Sequence, residues 1–293
     1  MSINPLEVQG KNYWEKLGGL HWFWIGLVVM ILLSIPLLRP LGLPISTTKW
    51  TVDAFEVLKN IPKDKYVLWE DVATLSDYAD FRPGHVALWR ILLKYNVKFL
   101  VYGTGPDNPP FQLRIQDEAL KSVEASGKVY GVDWVHCSYI TGGEVGEAAM
   151  AANIHGTFPF DNQGNTIDSL PMMRNLRDYR DVAILISSSS SGSWIESPTR
   201  QWYAKFGVKI VSYPCTGGAV LSSTYYPNKG VVGIIEGSRG GAELEFLGGV
   251  YGSGVALSDA KTLAYTTVLA FIIIGNISYW GGRAQITQKR KEI

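Results

Sequence analysis

Val97-Lys98-Phe99-Leu100-Val101-Tyr102-Gly103-Thr104-Gly105 decides the fold class. A short run of β-branched and aromatic residues that stops at two glycines reads as a buried strand ending in a tight turn. Just before it, residues 83–95 place Val86, Leu88, Trp89, Leu92 and Leu93 on one face of a helix. After it, Pro109-Pro110 opens a second helical pattern to about Ala125, and residues 132–140 read as the next strand. A strand that returns through a helix to another strand is a βαβ unit, which implies parallel pairing.

The alternation continues in both directions. Tyr66-Val67-Leu68-Trp69 is an earlier strand, 144–154 an Ala-rich helix, and 181–188 an apolar strand that runs into serines. Ser197-Pro198 starts a helix to Phe206, Gly207 caps it, and 208–213 is another strand. Residues 231–235 read either as a sixth strand or as the start of a helix through Ala242 and Leu247. Residues 156–180 interrupt the pattern as an excursion between two halves. The fold class is therefore α/β, a doubly wound and mainly parallel sheet of Rossmann-like or flavodoxin-like type. The halves echo each other, since Thr141-Gly142-Gly143 and Thr216-Gly217-Gly218 each follow a strand.

Outside this domain the chain changes character. Residues 20–38 hold no Asp, Glu, Lys or Arg over 19 positions and include twelve Leu, Ile, Val or Phe. As a helix this run is about 28 Å long, close to the roughly 30 Å hydrocarbon core. Its apolar residues favour insertion by about 4–7 kcal/mol, against the costs of His21, Ser34 and Pro36. Residues 262–280 form a second uncharged run of 19, with eight such apolar residues and Asn276 as the main polar cost. Arg39-Pro40-Leu41-Gly42-Leu43-Pro44 offers no small-residue cleavage site, so the first run is read as a retained span and not a signal peptide.

The expected organisation is an N-terminal tail 1–19, a transmembrane helix 20–38, an α/β domain 39–261, a transmembrane helix 262–280 and a basic tail 281–293. Two spans put both termini on one side. The tails carry Lys11, Lys16, Arg283, Lys289, Arg290 and Lys291, so they are expected in the cytoplasm, with the domain extracytoplasmic in the cell membrane. The lipid bilayer is thus the first partner. The C-terminal tail sums to +3 in a chain of net +1, which leaves the rest at −2 and gives no footprint for nucleic acid.

Glycine turns and helix N-termini can hold an anion through bare N–H groups. On that ground the candidate ligand residues are Thr104, Thr141, Gly142, Gly143, Glu144, Ser191, Thr216, Gly217, Gly218 and Arg239, with a small anion as the expected ligand. Arg239 stands among glycines, and an intrachain ion pair with Glu243 or Glu245 is the competing reading. No turn matches a P-loop or a G-x-G-x-x-G fingerprint, and no cofactor is expected. Ser187–Ser193 lacks the G-x-S-x-G setting of a nucleophile, and caps explain its hydroxyls. His136, Cys137, Glu144, Glu147 and His155 flank one crevice without the spacing of a metal motif, so no metal is expected. Cys137 and Cys215 end strands, and both a disulfide and free thiols stay open.

Gly143-Glu144-x-Gly146-Glu147-Ala148-Ala149, Ile154-His155-Gly156-Thr157-Phe158, Tyr225-Tyr226-Pro227 and Gly237-x-Arg239-Gly240-x-Ala242-Glu243-x-Glu245 stand between the two apolar runs. With these segments the chain resembles a family of prokaryotic two-span membrane proteins with a central α/β domain. The resemblance implies architecture and brings no activity. Two functions are compatible with the sequence. One is a non-catalytic binding or assembly component of a membrane complex, as a homo-oligomer or subunit. The other is a membrane-tethered hydrolase or transferase acting on an anionic substrate at the sheet edge.

Overall fold

The protein was analysed as a computed structural model that describes residues 22–289. Two compact units result, one of them Pro44–Val255 and the other made of the segments on either side of it. The expected tail 1–19 and the first two residues of the run 20–38 lie outside the described residues, as do residues 290–293.

The elements in chain order are α1 (Trp22–Leu38), α2 (Lys49–Lys59), β1 (Tyr66–Asp71), α3 (Tyr78–Lys94), β2 (Lys98–Gly103), α4 (Asn108–Ala119), β3 (Trp134–Tyr139), α5 (Glu144–Ala152) and α6 (Ile154–Thr157). Then follow β4 (Val182–Ser189), a broken helical stretch α7 (196–206), β5 (Lys209–Pro214), α8 (Ala219–Ser223), β6 (Val231–Ile234), α9 (Gly237–Gly248) and α10 (Ser253–Lys289). All five strand pairings are parallel, and the order is β3-β2-β1-β4-β5-β6. This is the Rossmann order and not the flavodoxin one. Residues 231–234 are a strand and 237–248 a helix, so both readings of that stretch hold in succession.

The strands are buried on both faces, which explains their continuous apolar runs. One face is closed by α2, α3, α4 and α9, through residues such as Phe55, Trp89, Phe111 and Leu244. The other is closed by α5, α6, the 158–176 excursion and α7, through Met150, Ile154, Met173 and Trp202. Where α3 crosses α9 the backbones nearly touch. A Cβ on Gly84 would stand 2.0 Å from the Tyr213 hydroxyl, and one on Gly241 would stand 2.6 Å from Gly84 N.

Two carboxylates of α9 hold the starts of other helices. Glu243 accepts from Thr48 N at 2.9 Å and Thr48 Oγ1 at 2.8 Å, just ahead of α2. Glu245 accepts from the N–H groups of Gly252, Gly254 and Val255 at 2.7–2.9 Å, at the start of α10. Bare N–H groups at a helix start attract a carboxylate, so these distant side chains act as caps.

Among the described residues one helical segment, Ser253–Gly281, which falls in the other unit from Ala256 onward, is long and apolar enough to cross a membrane. Its 29 residues span about 44 Å as a helix, more than the hydrocarbon core requires. α1 is a shorter apolar helix of 17 described residues. Both expose large apolar side chains, among them Trp22, Trp24, Ile31, Leu269, Ile273 and Trp280. Buried Asp259 accepts from Leu41, Gly42 and Leu43 N–H at 2.7–3.1 Å and ties the segment after α1 to α10.

Candidate functional site at the switch point of the sheet

The strand order reverses direction between β1 and β4, and sheets of this order leave a crevice there at their carboxyl ends. Glu70, near the end of β1, is in register with Tyr102 of β2 on one side and Ser187 of β4 on the other. All three side chains point to the same face, and all three are buried. Ser187 Oγ donates to Glu70 Oε2 at 2.8 Å. From above, α5 brings Glu147, also fully buried, whose Oε1 accepts from Ser197 Oγ at 2.6 Å.

The remaining oxygens, Glu70 Oε1 and Glu147 Oε2, have no donor if both groups are ionised. The two carboxyls interact directly, so a retained proton gives each the other as a partner. Burial pushes Glu70 well above the usual carboxylate range, and the charge of Glu147 adds to it. Burial raises Glu147 as well, opposed by its hydrogen bonds with Ser197 and Glu70. Burial of both carboxyls, together with the charge of Glu147 acting on Glu70, favours the protonated form of the pair.

Tyr102 completes the cluster. Its hydroxyl is wholly buried without a hydrogen-bond partner, and burial, then the charges of Glu70 and Glu147, push it well above its ordinary value. The Trp194 indole nitrogen lies beside Glu70 without a well-formed hydrogen bond. Ser187 also lines a cavity of about 10 Å³, room for about one water, together with Ser189, Ser191, Ser212 and Ser222 and with Ile195 and Pro214.

A second acid sits on the opposite face. Asp71 Oδ2 stands 3.2 Å from His85 Nε2, both fully buried, while Asp71 Oδ1 accepts from Ala73 N at 3.0 Å. Burial raises the Asp71 carboxyl, and the neighbouring His85 opposes the rise. Trp69, Phe81, Phe111 and Tyr213 surround the imidazole with ring centroids 4.9–5.4 Å away. Closed in by rings, this pair joins α3 to β1 and has no face toward a ligand.

The residues singled out in the sequence lie along the same carboxyl edge but do not meet in one pocket. Ser191 lines the same cavity as Ser187. Thr216, Gly217 and Gly218 are close to it, because a Cβ on Gly218 would stand 2.9 Å from Gly192 Cα. Thr216 also packs against Gly237 at the start of α9. Thr104 belongs to a turn that is already filled: Asn108 Oδ1 accepts from Thr104 N at 2.8 Å and Gly105 N at 2.7 Å. Thr141, Gly142 and Gly143 follow β3, which stands four strand spacings, about 19 Å, from β5. Glu144 pairs on the surface with Arg200 and Gln201. Arg239 donates through Nε to the buried Glu243 at 3.0 Å, the i,i+4 pair, while its side chain stays 59% exposed.

Among the described residues no group of three or more His, Cys, Asp or Glu is placed to hold a metal ion. His136 and Cys137 point to opposite faces of β3, and burial pushes the His136 imidazole down to about 4. His155 Nε2 instead holds the Met173 and Leu176 carbonyls at 2.9 Å. Cys137 and Cys215 are free thiols, and their strands are too far apart to bridge.

Glu70, Tyr102 and Ser197 are not among the site residues that the sequence singles out, and Glu147 is weighed there for chemistry only in a set of metal candidates. One signal was available: Glu70-Asp71 ends an otherwise apolar strand, where two adjacent carboxylates have to be buried on opposite faces. Compared with protein-family models, curated proteins and solved structures, the chain matches none.

Proposed function

We propose that the chain is a membrane-anchored binding module that holds its ligand at the carboxyl edge of β1 and β4, beside Glu70 and Glu147. One observation carries this reading: two carboxyls, Glu70 and Glu147, and the Tyr102 hydroxyl are buried with polar atoms left without hydrogen-bond partners at the switch point of a Rossmann-order sheet. Of the glycine turns that read as anion cradles, Gly103-Thr104-Gly105 is filled by the Asn108 side chain.

The second reading, a membrane-tethered hydrolase or transferase, draws on the same carboxyls, which suit acid–base work. A buried negative pair without a cation repels the anionic substrate that this reading calls for. The binding reading is therefore preferred, with a neutral or cationic ligand.

The membrane part of the proposal has two spans, 20–38 and 262–280, cytoplasmic tails and an extracytoplasmic domain, as in the two-span family that the chain resembles. The exposed apolar side chains of α1 and α10 support it, because surfaces of that kind associate with lipid or protein. Self-association or assembly with other membrane subunits belongs to the same proposal. Native mass spectrometry of the full chain in mild detergent tests the binding reading. It should detect a bound small molecule that is lost in Ser187→Val, and a ligand-free chain would overturn the reading. Alkaline extraction and protease protection in sealed vesicles test the anchoring. A chain released by alkali, or a domain digested only from the cytoplasmic side, would overturn it.

A further inference from the structure

Resting on the binding reading, we infer that the buried cluster of Glu70, Glu147 and Tyr102, which Ser187 joins to a small cavity, takes a primary ammonium group. When the pair holds a single proton, it leaves one negative charge inside the domain. Among the described residues no lysine or arginine is buried, and Arg200, whose charge acts on Glu147, is half exposed and already paired with Glu144 and Glu196. An uncompensated buried charge is unfavourable, so the site favours either a second proton or a cation.

The atoms select the kind of cation. Three acceptors at the cluster lack a donor: Glu70 Oε1, Glu147 Oε2 and the Tyr102 hydroxyl oxygen. An ammonium group has three or more N–H donors and no acceptor, which matches this set. A divalent metal needs more anionic or nitrogen ligands than the cluster provides. A guanidinium is planar and wider than a space for one water. The cavity of about 10 Å³ that Ser187 shares with other serines suits the ammonium ion itself or the head of a short amino alcohol.

Binding exchanges charge for charge. The ammonium enters, the shared proton leaves to solvent, and the two carboxylates close on the cation. Affinity therefore rises with pH, about tenfold per unit, until the shared proton is lost from the free protein. The groups facing the pair are Tyr102 from β2, Ser187 from β4, Glu144 from α5, and Ser197 and Arg200 from α7. Of these, Glu144 and Arg200 form an exposed ion pair, so the pH dependence belongs to Glu70 and Glu147.

The experiment is a thermal unfolding series on the full chain in detergent, with ammonium, ethanolamine, sodium and tetramethylammonium chlorides at equal ionic strength. Ammonium or ethanolamine should raise the midpoint, while sodium and tetramethylammonium should not. A response to ammonium alone identifies the free ion, and a stronger response to ethanolamine identifies an amine-headed ligand. Tyr102→Phe should weaken binding by about tenfold, the effect of one lost hydrogen bond, and Glu147→Gln should abolish it. Tyr102→Phe keeps the aromatic packing and serves if Glu147→Gln fails to fold. Equal shifts with all four salts, or an undiminished ammonium response in Tyr102→Phe, would overturn the inference. If ammonium and ethanolamine fail while the purified chain carries another ligand that Ser187→Val releases, the binding reading stands and the ligand class falls. If neither binds, both fall.

Discussion

Replacing Asn108 by alanine separates a turn that builds the fold from a turn that binds an anion. Asn108 is 3% exposed. Its Oδ1 accepts from Thr104 N and Gly105 N at 2.8 and 2.7 Å, and its Nδ2 donates to Ala73 O at 2.9 Å. Three hydrogen bonds at about 0.5–1.5 kcal/mol each give a loss of about 2–4 kcal/mol in Asn108→Ala. Most of it arises at Ala73, which is fully buried, because the turn N–H groups reach solvent. For a domain of this size the loss lowers the midpoint by roughly 5–15 °C. Unfolding of the full chain in detergent, followed by the fluorescence of buried Trp69, Trp89 and Trp202, reports it. Sulfate supplies the discriminating arm. In the variant, the freed N–H groups stand at the start of the 12-residue helix α4, so sulfate should restore part of the loss beyond its general salting effect. A loss below about 1 kcal/mol, or a wild-type chain that gains as much from sulfate as the variant, would refute the reasoning.

Three other substitutions follow from the same geometry. Glu245→Ala removes the acceptor of three N–H groups and should cost about 3–5 kcal/mol, with Glu245→Gln costing less. Denaturant titration measures this, and amide exchange at Gly252, Gly254 and Val255 should rise in parallel. Arg239→Ala should cost under about 1 kcal/mol, because the arginine is mostly exposed, whereas Glu243→Ala should cost about 2–3 kcal/mol by releasing Thr48. Stability should also fall as pH rises from the ordinary carboxylate range through the raised titration of the acid pair. The folded state of the pair binds protons more tightly than the unfolded chain, so that stability is present at low pH and lost at high pH. Glu70→Gln should flatten this slope in denaturation curves taken across the range, and an unchanged slope would assign it elsewhere.

The sheet was legible because each strand is a continuous apolar run that ends in glycine or serine, the pattern of strands buried on both faces. α2 was not, since it begins Lys49-Trp50-Thr51 and its start is held by Glu243, 195 residues away. α7 read as one regular helix, yet it contains a π turn over Thr199–Tyr203 that no local propensity marks. At the site the limit was topology. Glu70 and Glu147 are 77 positions apart, and only the central place of β1, with α5 above it, brings them together. Glu243 and Glu245 are buried caps in the fold, and their partners, Thr48 and the N–H groups of 252–255, are set by topology and not by any local motif. The Arg239–Glu243 pair was one of the two ion pairs that the sequence left open for Arg239.

Burial raises both Glu70 and Glu147, and the central claim is that the pair holds a proton at neutral pH. Infrared absorption of the full chain at neutral pH measures it directly, because a carboxylic acid C=O absorbs apart from a carboxylate. The account predicts a protonated-carboxyl band near pH 7 that disappears in the Glu70→Gln, Glu147→Gln double variant and diminishes when ammonium is added. A spectrum with no such band in the wild-type chain would contradict it.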